Sequence, residues 1–188
     1  DAIVSNGTSL YRYDPTPTTI WFNQGDGTFV DSGQRIDDPD GEDIALGDLD
    51  GDGDLDAVLA VDAYQGTSFF GYDLVLINDG HGYFTYNRLS SSEYNQTYGI
   101  DLGDLDGDGD LDVFLAHYYE GTSGHDGSEV YFNLGNGMFV ESGQDFYPSN
   151  YADYFEDGAL GDLDNDGDLD VFLSKFQGPN EVWFNDGT

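Results

Sequence analysis

The sequence predicts an all-β protein assembled from repeated four-stranded units, and three observations lead to this prediction. An acidic nonapeptide occurs three times in 188 residues, a second motif rich in Asn, Gly and Phe keeps the same spacing, and short apolar segments of strand length recur between them. No segment has the 3.6-residue apolar period of an amphipathic helix. Self-similarity at a fixed period is typical of repeat architectures, in which each repeat forms one supersecondary unit.

The acidic nonapeptide has the composition of a cation-binding loop. It reads Asp-Leu-Asp-Gly-Asp-Gly-Asp-Leu-Asp at 48–56 and again at 104–112, and the copy at 162–170 differs only at Asn165. Glycine at position six permits a sharp turn, so that alternate carboxylates can point to one centre. We expect calcium, about three ions per chain, because calcium takes six to eight oxygen ligands at flexible geometry, whereas magnesium keeps more of its water. The candidate ligands are Asp48, Asp50, Asp52, Asp54, Asp56, Asp104, Asp106, Asp108, Asp110, Asp112, Asp162, Asp164, Asp166, Asp168 and Asp170.

The second motif predicts a β-hairpin. It reads Trp-Phe-Asn-Gln-Gly-Asp-Gly-Thr-Phe at 21–29, recurs in related form at 76–84 and 131–139, and begins again at Trp183. Its glycines supply the positive φ angles that a tight hairpin needs. With one strand before each acidic loop and one after it, a full repeat contains four antiparallel strands. Such units packed around an axis form a β-propeller.

The two markers divide the chain into about three and a half repeats of one propeller segment, 1–188. We place them at 1–43 (partial), 44–99, 100–157 and 158–188 (partial), with three, four, four and three strands. Asp1 aligns with Asp56, the ninth position of an acidic loop, and the last hairpin motif stops at Thr188. These ends predict part of a larger ring or array, or a chain completed by neighbouring copies.

The charge excludes several classes of partner. The chain has 39 acidic and 4 basic residues and a formal net charge of −35, so we expect neither nucleic-acid binding nor membrane insertion. High charge is also typical of disordered chains, but here aromatic residues make up 15% of the sequence and apolar runs recur regularly. The absence of cysteine excludes disulfides and thiolate metal sites.

The loop and hairpin together resemble the FG-GAP/VCBS-type repeats of integrin α-subunit heads and of many large secreted bacterial proteins. They do not resemble an EF-hand, because position twelve, which is acidic there, is Leu59, Leu115 or Leu173 here. The hairpin that follows each loop is most similar to the bacterial type. The resemblance implies propellers of seven or sometimes eight blades, calcium in the acidic loops, and an extracellular or cell-surface location, with adhesion or glycan binding as the function.

Other candidate residues have two interpretations each. Aromatic residues near the variable loops could stack on sugar rings, but we favour packing between blades. Asn6 and Asn95 begin N-glycosylation sequons. His81, His117 and His125 have no catalytic partner at a recognisable spacing. The aromatic residues are Tyr64, Phe69, Phe70, Tyr72, Tyr118, Tyr119, Tyr147, Tyr151, Tyr154 and Phe155.

Three functions follow as hypotheses. The first is an extracellular calcium-binding module for adhesion or for binding a glycan or protein through the variable loops. The alternative is a structural subunit of a surface assembly or fibre, completed by neighbouring copies. A polysaccharide-acting enzyme is disfavoured, because the regular aspartates are assigned to metal binding and no nucleophile–base pair is recognisable.

Overall fold

The computed structural model describes residues 1–6, 16–37, 41–61, 72–89, 96–118, 127–148 and 154–187. All regular structure in these residues is β-strand, which confirms the predicted fold class. No helix in this part of the chain is long and apolar enough to cross a membrane. The strands are β1 (Ala2–Val4), β2 (Thr18–Asn23), β3 (Phe29–Ile36), β4 (Gly41–Gly47), β5 (Asp56–Val61), β6 (Leu74–Asn78), β7 (Phe84–Arg88), β8 (Thr97–Gly103), β9 (Asp112–His117), β10 (Ser128–Asn133), β11 (Phe139–Phe146), β12 (Phe155–Gly161), β13 (Asp170–Lys175) and β14 (Glu181–Trp183).

The strands form four antiparallel sheets, each made from one continuous part of the chain. The first sheet is β1–β3, the second β4–β7, the third β8–β11 and the fourth β12–β14, and strands adjacent in sequence are adjacent in the sheet. This order is the meander of a propeller-like blade, and the strand numbers match the predicted three, four, four and three. The second, third and fourth sheets begin at Gly41, Thr97 and Phe155, three residues before the repeat starts drawn from the sequence.

The sheets pack face to face. Alternate residues of one strand point to the sheets on its two sides. In β9, Val113 and Leu115 belong to the apolar cluster shared with the second sheet. Phe114 and Ala116, which point the other way, belong to the cluster shared with the fourth sheet. The two-residue period of a strand therefore places each central strand in two cores at once. This explains why β5 and β9 are buried along their whole length.

The first strands of successive sheets lie side by side. Strand β8 contacts both β4 and β12. The amide of Ile100 donates a hydrogen bond to Asp43 Oδ2 (3.1 Å), and the amide of Leu160 donates to Asp101 Oδ2 (2.8 Å). These carboxylates satisfy backbone donors of the neighbouring sheet, which would otherwise need water at a crowded junction. The hydrogen bonds therefore set the position of one sheet relative to the next.

Gln34 of β3 makes a comparable contact between the first two sheets. The Gln34 side chain donates from Nε2 to the carbonyl oxygen of Phe84 and accepts at Oε1 from the Phe84 amide (3.0 Å). The side-chain amide of Gln34 therefore bonds both backbone groups of Phe84, as a neighbouring strand would. The contact joins β3 to β7 near the outer edges of the two sheets.

Truncation of Phe114 tests the packing between the third and fourth sheets. Phe114 is fully buried, so Phe114→Ala should lower the free energy of unfolding by about 3–5 kcal/mol. Phe172 occupies the matching position of the fourth sheet and is exposed, so Phe172→Ala should cost about 1 kcal/mol or less. Urea unfolding at low protein concentration measures both. Equal losses in the two variants would contradict the assignment of Phe114 to a core.

Candidate metal centres

Each acidic loop connects the first two strands of a sheet, and its ninth aspartate holds the base of the loop closed. Asp56 is fully buried. Its Oδ2 accepts from the amide of Leu49 and its Oδ1 from the amide of Asn78, each at 2.8 Å. Asp112 and Asp170 repeat both contacts in their own sheets. The ninth carboxylate therefore ties the start of the loop to the third strand of the same blade.

The same contact occurs in the first sheet, where Asp1 Oδ1 accepts from the amide of Asn23 at 2.9 Å. This hydrogen bond supports the alignment of Asp1 with the ninth loop position.

The first aspartate of the first loop accepts hydrogen bonds from two backbone amides further along the same loop. Asp48 Oδ1 accepts from the amide of Gly51 (2.9 Å) and Oδ2 from that of Gly53 (3.0 Å). Both glycines have positive φ angles, 77° and 94°, which other residues rarely adopt. In the third loop Asn165 takes the place of the first of these glycines with φ 65°, a conformation that asparagine tolerates. The fourth loop position therefore keeps a positive φ angle at the one place where the three loop sequences differ.

Three carboxylates in every loop come close enough to share one metal ion. Their closest oxygen atoms lie within 4.8 Å of one another. The first and third positions take part in all three clusters, the ninth in the first and third loops, and the fifth in the second loop. The clusters are Asp48, Asp50 and Asp56; Asp104, Asp106 and Asp108; and Asp162, Asp164 and Asp170.

The seventh aspartate of each loop lies outside these clusters. The carboxylates of Asp54, Asp110 and Asp168 lie against glycines of the hairpin turns, where any side chain would collide with them. Those glycines are Gly80, Gly135 and Gly187. Asp52, Asp112 and Asp166 also lie outside the clusters, and metal ligation by any of the loop aspartates stays a prediction.

Burial and mutual repulsion work against ionisation in the loops. Burial raises the pKa of Asp56, and the nearby charges of Asp50 and Asp52 raise it further. Burial, followed by the charge of Asp106, likewise raises the pKa of Asp112. A bound divalent cation would remove this repulsion, because it supplies positive charge where the carboxylates converge.

The first two loops are also joined to the next sheet by an asparagine of the hairpin motif. Asn133 is buried, and its Nδ2 donates to the carbonyl of Leu49 in the second sheet (2.8 Å) and to that of Leu111 in its own loop (3.1 Å). Asn185 repeats the first contact with Leu105 at 2.9 Å. This role was not predicted from the sequence, although asparagine occupies the position in all four copies of the hairpin motif.

Comparison with known families now adds to this geometry. A model of the FG-GAP-like repeat matches residues 3–59 and 104–173. The chain belongs to the FG-GAP-like repeat family. The matched ranges contain all three acidic loops, and the match confirms the resemblance inferred from the loop and hairpin motifs. A comparison with curated proteins found no match.

Among the described aromatic candidates of these FG-GAP-like repeats, Tyr118, Tyr154 and Phe155 lie at the junction of the third and fourth sheets, whereas Tyr147 is exposed. Phe155 is fully buried. The Tyr118 ring lies 4.3 Å from that of Tyr154, centroid to centroid, and Tyr154 stacks on Phe176 at 4.8 Å. The Tyr72 ring faces the guanidinium of Arg88 at 3.6 Å. Five predicted aromatic residues lie outside the described residues: Tyr64, Phe69, Phe70, Tyr119 and Tyr151.

The remaining candidates have local roles. Nδ2 of Asn6 donates to the carbonyls of Pro17 (2.8 Å) and Val4 (3.3 Å), so a glycan there would have to replace one of these bonds. Asn95 and His125 lie outside the described residues. His81 belongs to an exposed hairpin turn, and His117 is buried with Nδ1 2.9 Å from the Gly127 carbonyl.

A fourth acidic cluster lies away from the loops, between β10 and β11. Glu129, Glu141 and Asp145 approach one another across a bulge in the strand pairing. Burial, together with the charges of Glu141 and Asp145, raises the pKa of Glu129 to about 7, although the Tyr131 hydroxyl donates a hydrogen bond to Oε2 (3.0 Å) that lowers it. The sequence offered no signal for this cluster, because its members lie outside both repeated motifs.

Removal of the Asn133 side-chain amide should weaken the junction between the second and third sheets. Asn133→Ala removes the side-chain donor from the carbonyls of Leu49 and Leu111, of which Leu49 keeps the Gly137 amide, and we expect a loss of about 1–3 kcal/mol in the free energy of unfolding. Asn23→Ala is the matched control, because Asn23 is exposed and accepts the equivalent turn bond from Gly25. Denaturant unfolding compares the two. A control as destabilised as Asn133→Ala would show that the contact with Leu49 adds nothing.

Replacement of Glu129 should change how stability depends on pH. The folded-state pKa is raised from 4.5 to about 7, so protonated Glu129 favours folding below about pH 4.5, and this contribution is lost as the pH rises to 7. Glu129→Gln should therefore match the parent near pH 4.5 and exceed its stability by about 1–3 kcal/mol at pH 8. Thermal unfolding across this range measures the difference. A difference that does not vary with pH would exclude Glu129 as the titrating group.

Proposed function

We propose that this chain is an extracellular calcium-binding repeat module that serves adhesion or binds a glycan or protein. The observation that carries the proposal is the threefold recurrence of close carboxylates in loops of nearly identical sequence. All-oxygen sites rich in carboxylate suit calcium, and sites of the extracellular class stay filled where calcium is near millimolar. FG-GAP repeats are typically extracellular, which agrees with this setting.

Calcium would act as a structural element of the module. Each loop is hydrogen-bonded to the third strand of its own blade through the ninth aspartate, as Asp56 is to Asn78. The first two described loops are also bonded to the following blade, through Asn133 to Leu49 and Asn185 to Leu105. An ion that orders a loop would therefore also order two blades, and 1–188 would behave as one propeller segment.

The ligand would bind at the ends of the strands that lie opposite the acidic loops. Each acidic loop follows the first strand of a sheet, so the segments after the second strands lie at the far end from the loops. Tyr118, Tyr154 and Phe176 lie at that end and join the third and fourth sheets. Aromatic rings beside carboxylates are suited to sugar rings and their hydroxyl groups. We propose no catalytic role for the chain.

Calcium should stabilise the protein against heat. A site at a hundredfold excess of calcium over its dissociation constant contributes about 2.7 kcal/mol, so three sites should raise the melting temperature by many degrees over that in EDTA. Isothermal titration should find about three ions per chain, in line with the three loop clusters. Asp106→Asn should remove one ion from this stoichiometry. Asp26→Asn, in an exposed hairpin turn outside the loops, should leave it unchanged.

An identical melting temperature in calcium and in EDTA would reject the calcium sites. Loss of binding in Asp26→Asn as well as in Asp106→Asn would indicate diffuse attraction of cations to the negative surface. Magnesium in place of calcium should produce a smaller shift, because it retains more of its hydration shell.

A glycan array probed with calcium present tests the proposed ligand class. We expect bound glycans to be lost in Tyr118→Ala and Tyr154→Ala, because these rings lie at the end of the strands opposite the acidic loops. Tyr83→Ala alters an exposed tyrosine of a hairpin turn on the acidic-loop side and should retain binding. An array without any bound glycan would leave protein ligands as the remaining form of the proposal. Equal loss in all three variants would contradict the proposed surface.

A further inference from the structure

A polar position that recurs in the repeats lies at the junctions between sheets. Five residues before the hairpin asparagine, a polar side chain accepts a hydrogen bond from the amide at the end of the second strand. Asp73 accepts from the amide of Val61 (3.0 Å), and Ser128 accepts from that of His117 (3.1 Å). Asp73 and Ser128 are both buried. The same position therefore carries a carboxylate in the second sheet and a neutral hydroxyl in the third.

Asp73 connects the second sheet to the third. Its Oδ2 accepts a hydrogen bond from the hydroxyl of Thr97, a buried residue of β8 (3.0 Å). Glu129 of β10 is buried on the same junction, and Asp73 is near enough for its charge to raise the pKa of Glu129. The junction between the second and third sheets therefore buries two carboxyl groups, one from each sheet.

The fourth sheet has a glutamate at the position of Glu129. Glu129 is paired with Leu115 across β9 and β10, and Glu181 is paired with Leu173 across β13 and β14. Leu115 and Leu173 are the same position of the second strand, because each lies three residues after the ninth aspartate of its loop. The third and fourth sheets therefore place a glutamate at the same point of the junction with the sheet before them.

The charge of the fourth-sheet glutamate is balanced. Glu181 forms an ion pair with Lys175, whose side chain is fully buried. The residue at the position of Lys175 in the third sheet is His117. Lysine is positively charged at neutral pH, whereas an imidazole is charged only when it is protonated. Since the preceding sheet contributes the neutral Ser128 there, the two junctions have the same construction but a different balance of charge.

The remaining groups that face Glu129 do not supply a fixed positive charge. Burial raises the pKa of Glu129 from 4.5 to about 7, and the charges of Glu141 and Asp145 on the adjacent β11 and of Asp73 on the second sheet contribute. The Tyr131 hydroxyl, on β10, donates a hydrogen bond to Glu129 Oε2 (3.0 Å) and opposes this rise. Ionisation of Glu129 therefore adds a like charge to a junction that already buries Asp73.

We propose that the junction between the second and third sheets opens more often when Glu129 loses its proton, whereas the junction between the third and fourth sheets does not respond to this proton. In the open junction Glu129 is in water and its pKa returns toward 4.5, so the proton favours the closed form fully below about pH 4.5. This contribution is lost as the pH rises through about 7. Between pH 6 and pH 8 the open population should therefore rise about tenfold.

Single cysteines measure the two junctions separately, because the chain contains no cysteine of its own. Ala60 of β5 is fully buried between the second and third sheets, and Ala116, its counterpart in β9, is fully buried between the third and fourth. Ala60→Cys and Ala116→Cys, each in the full chain, are labelled with a thiol reagent at constant millimolar calcium. Dividing the first rate by the second removes the common pH dependence of thiolate formation. We expect this ratio to rise about tenfold from pH 6 to pH 8.

Three further variants identify the group responsible. Glu129→Gln should keep the ratio constant, because its amide has no proton to lose in this range. His117→Lys introduces the arrangement of the fourth sheet and should also remove the rise. Glu156→Gln, which removes an exposed carboxylate of β12, should retain it.

Circular dichroism at both pH values shows which variants are folded, and Glu129→Gln alone decides the question if His117→Lys does not fold. A ratio that is constant with pH in the parent would overturn the proposal, as would an unchanged rise in Glu129→Gln. Neither Glu129 nor Asp73 belongs to an acidic loop, so a failure to bind calcium in the loops would not be mistaken for failure of this proposal.

Discussion

Each acidic loop brings together three carboxylate groups whose oxygens lie within 4.8 Å, at the point where a blade reverses from its first strand to its second. Ionised carboxylates at this separation repel one another, and burial adds to the cost of ionising the ninth aspartate. The chain compensates part of this cost locally. Asp56 accepts two backbone hydrogen bonds, which favour its ionised form against the effect of burial.

The consequences of this arrangement extend beyond the loop. Asp56 fixes the beginning of β5 against the end of β6, so the loop geometry sets the register on which the second sheet depends. The carbonyl of Leu49 accepts from the Asn133 side chain and from the amide of Gly137. These two hydrogen bonds join the loop of the second sheet to the hairpin of the third. A cation in one loop would therefore stabilise a junction as well as a turn. Packing between blades, with residues such as Phe114 and Val58 fully buried, supplies the remaining cohesion.

Patterns among residues close in sequence were enough to predict most of the fold and the acidic loops that form the candidate metal centres. Alternating apolar residues and Gly-rich hairpins depend on neighbours in sequence, so β5, β6 and β9 lie where the pattern placed them. Contacts between repeats were not predictable in this way. The bond from Asn133 to Leu49 spans 84 residues, and the raised pKa of Glu129 depends on cross-strand neighbours at a bulge. The placement of Asp54 against Gly80 likewise follows from the packing of loop and hairpin.

The most direct test of a metal-organised blade is a crystal structure of the chain grown with calcium, with anomalous differences collected at a wavelength where calcium scatters anomalously. We expect one peak in each acidic loop, coordinated by the aspartates at the first and third positions, and a loop conformation that keeps the Asp56–Asn78 and Asn133–Leu49 hydrogen bonds. Loops without any anomalous peak at millimolar calcium, with these hydrogen bonds intact, would show that the blades hold together without a metal ion and would contradict the proposed role of the acidic motif.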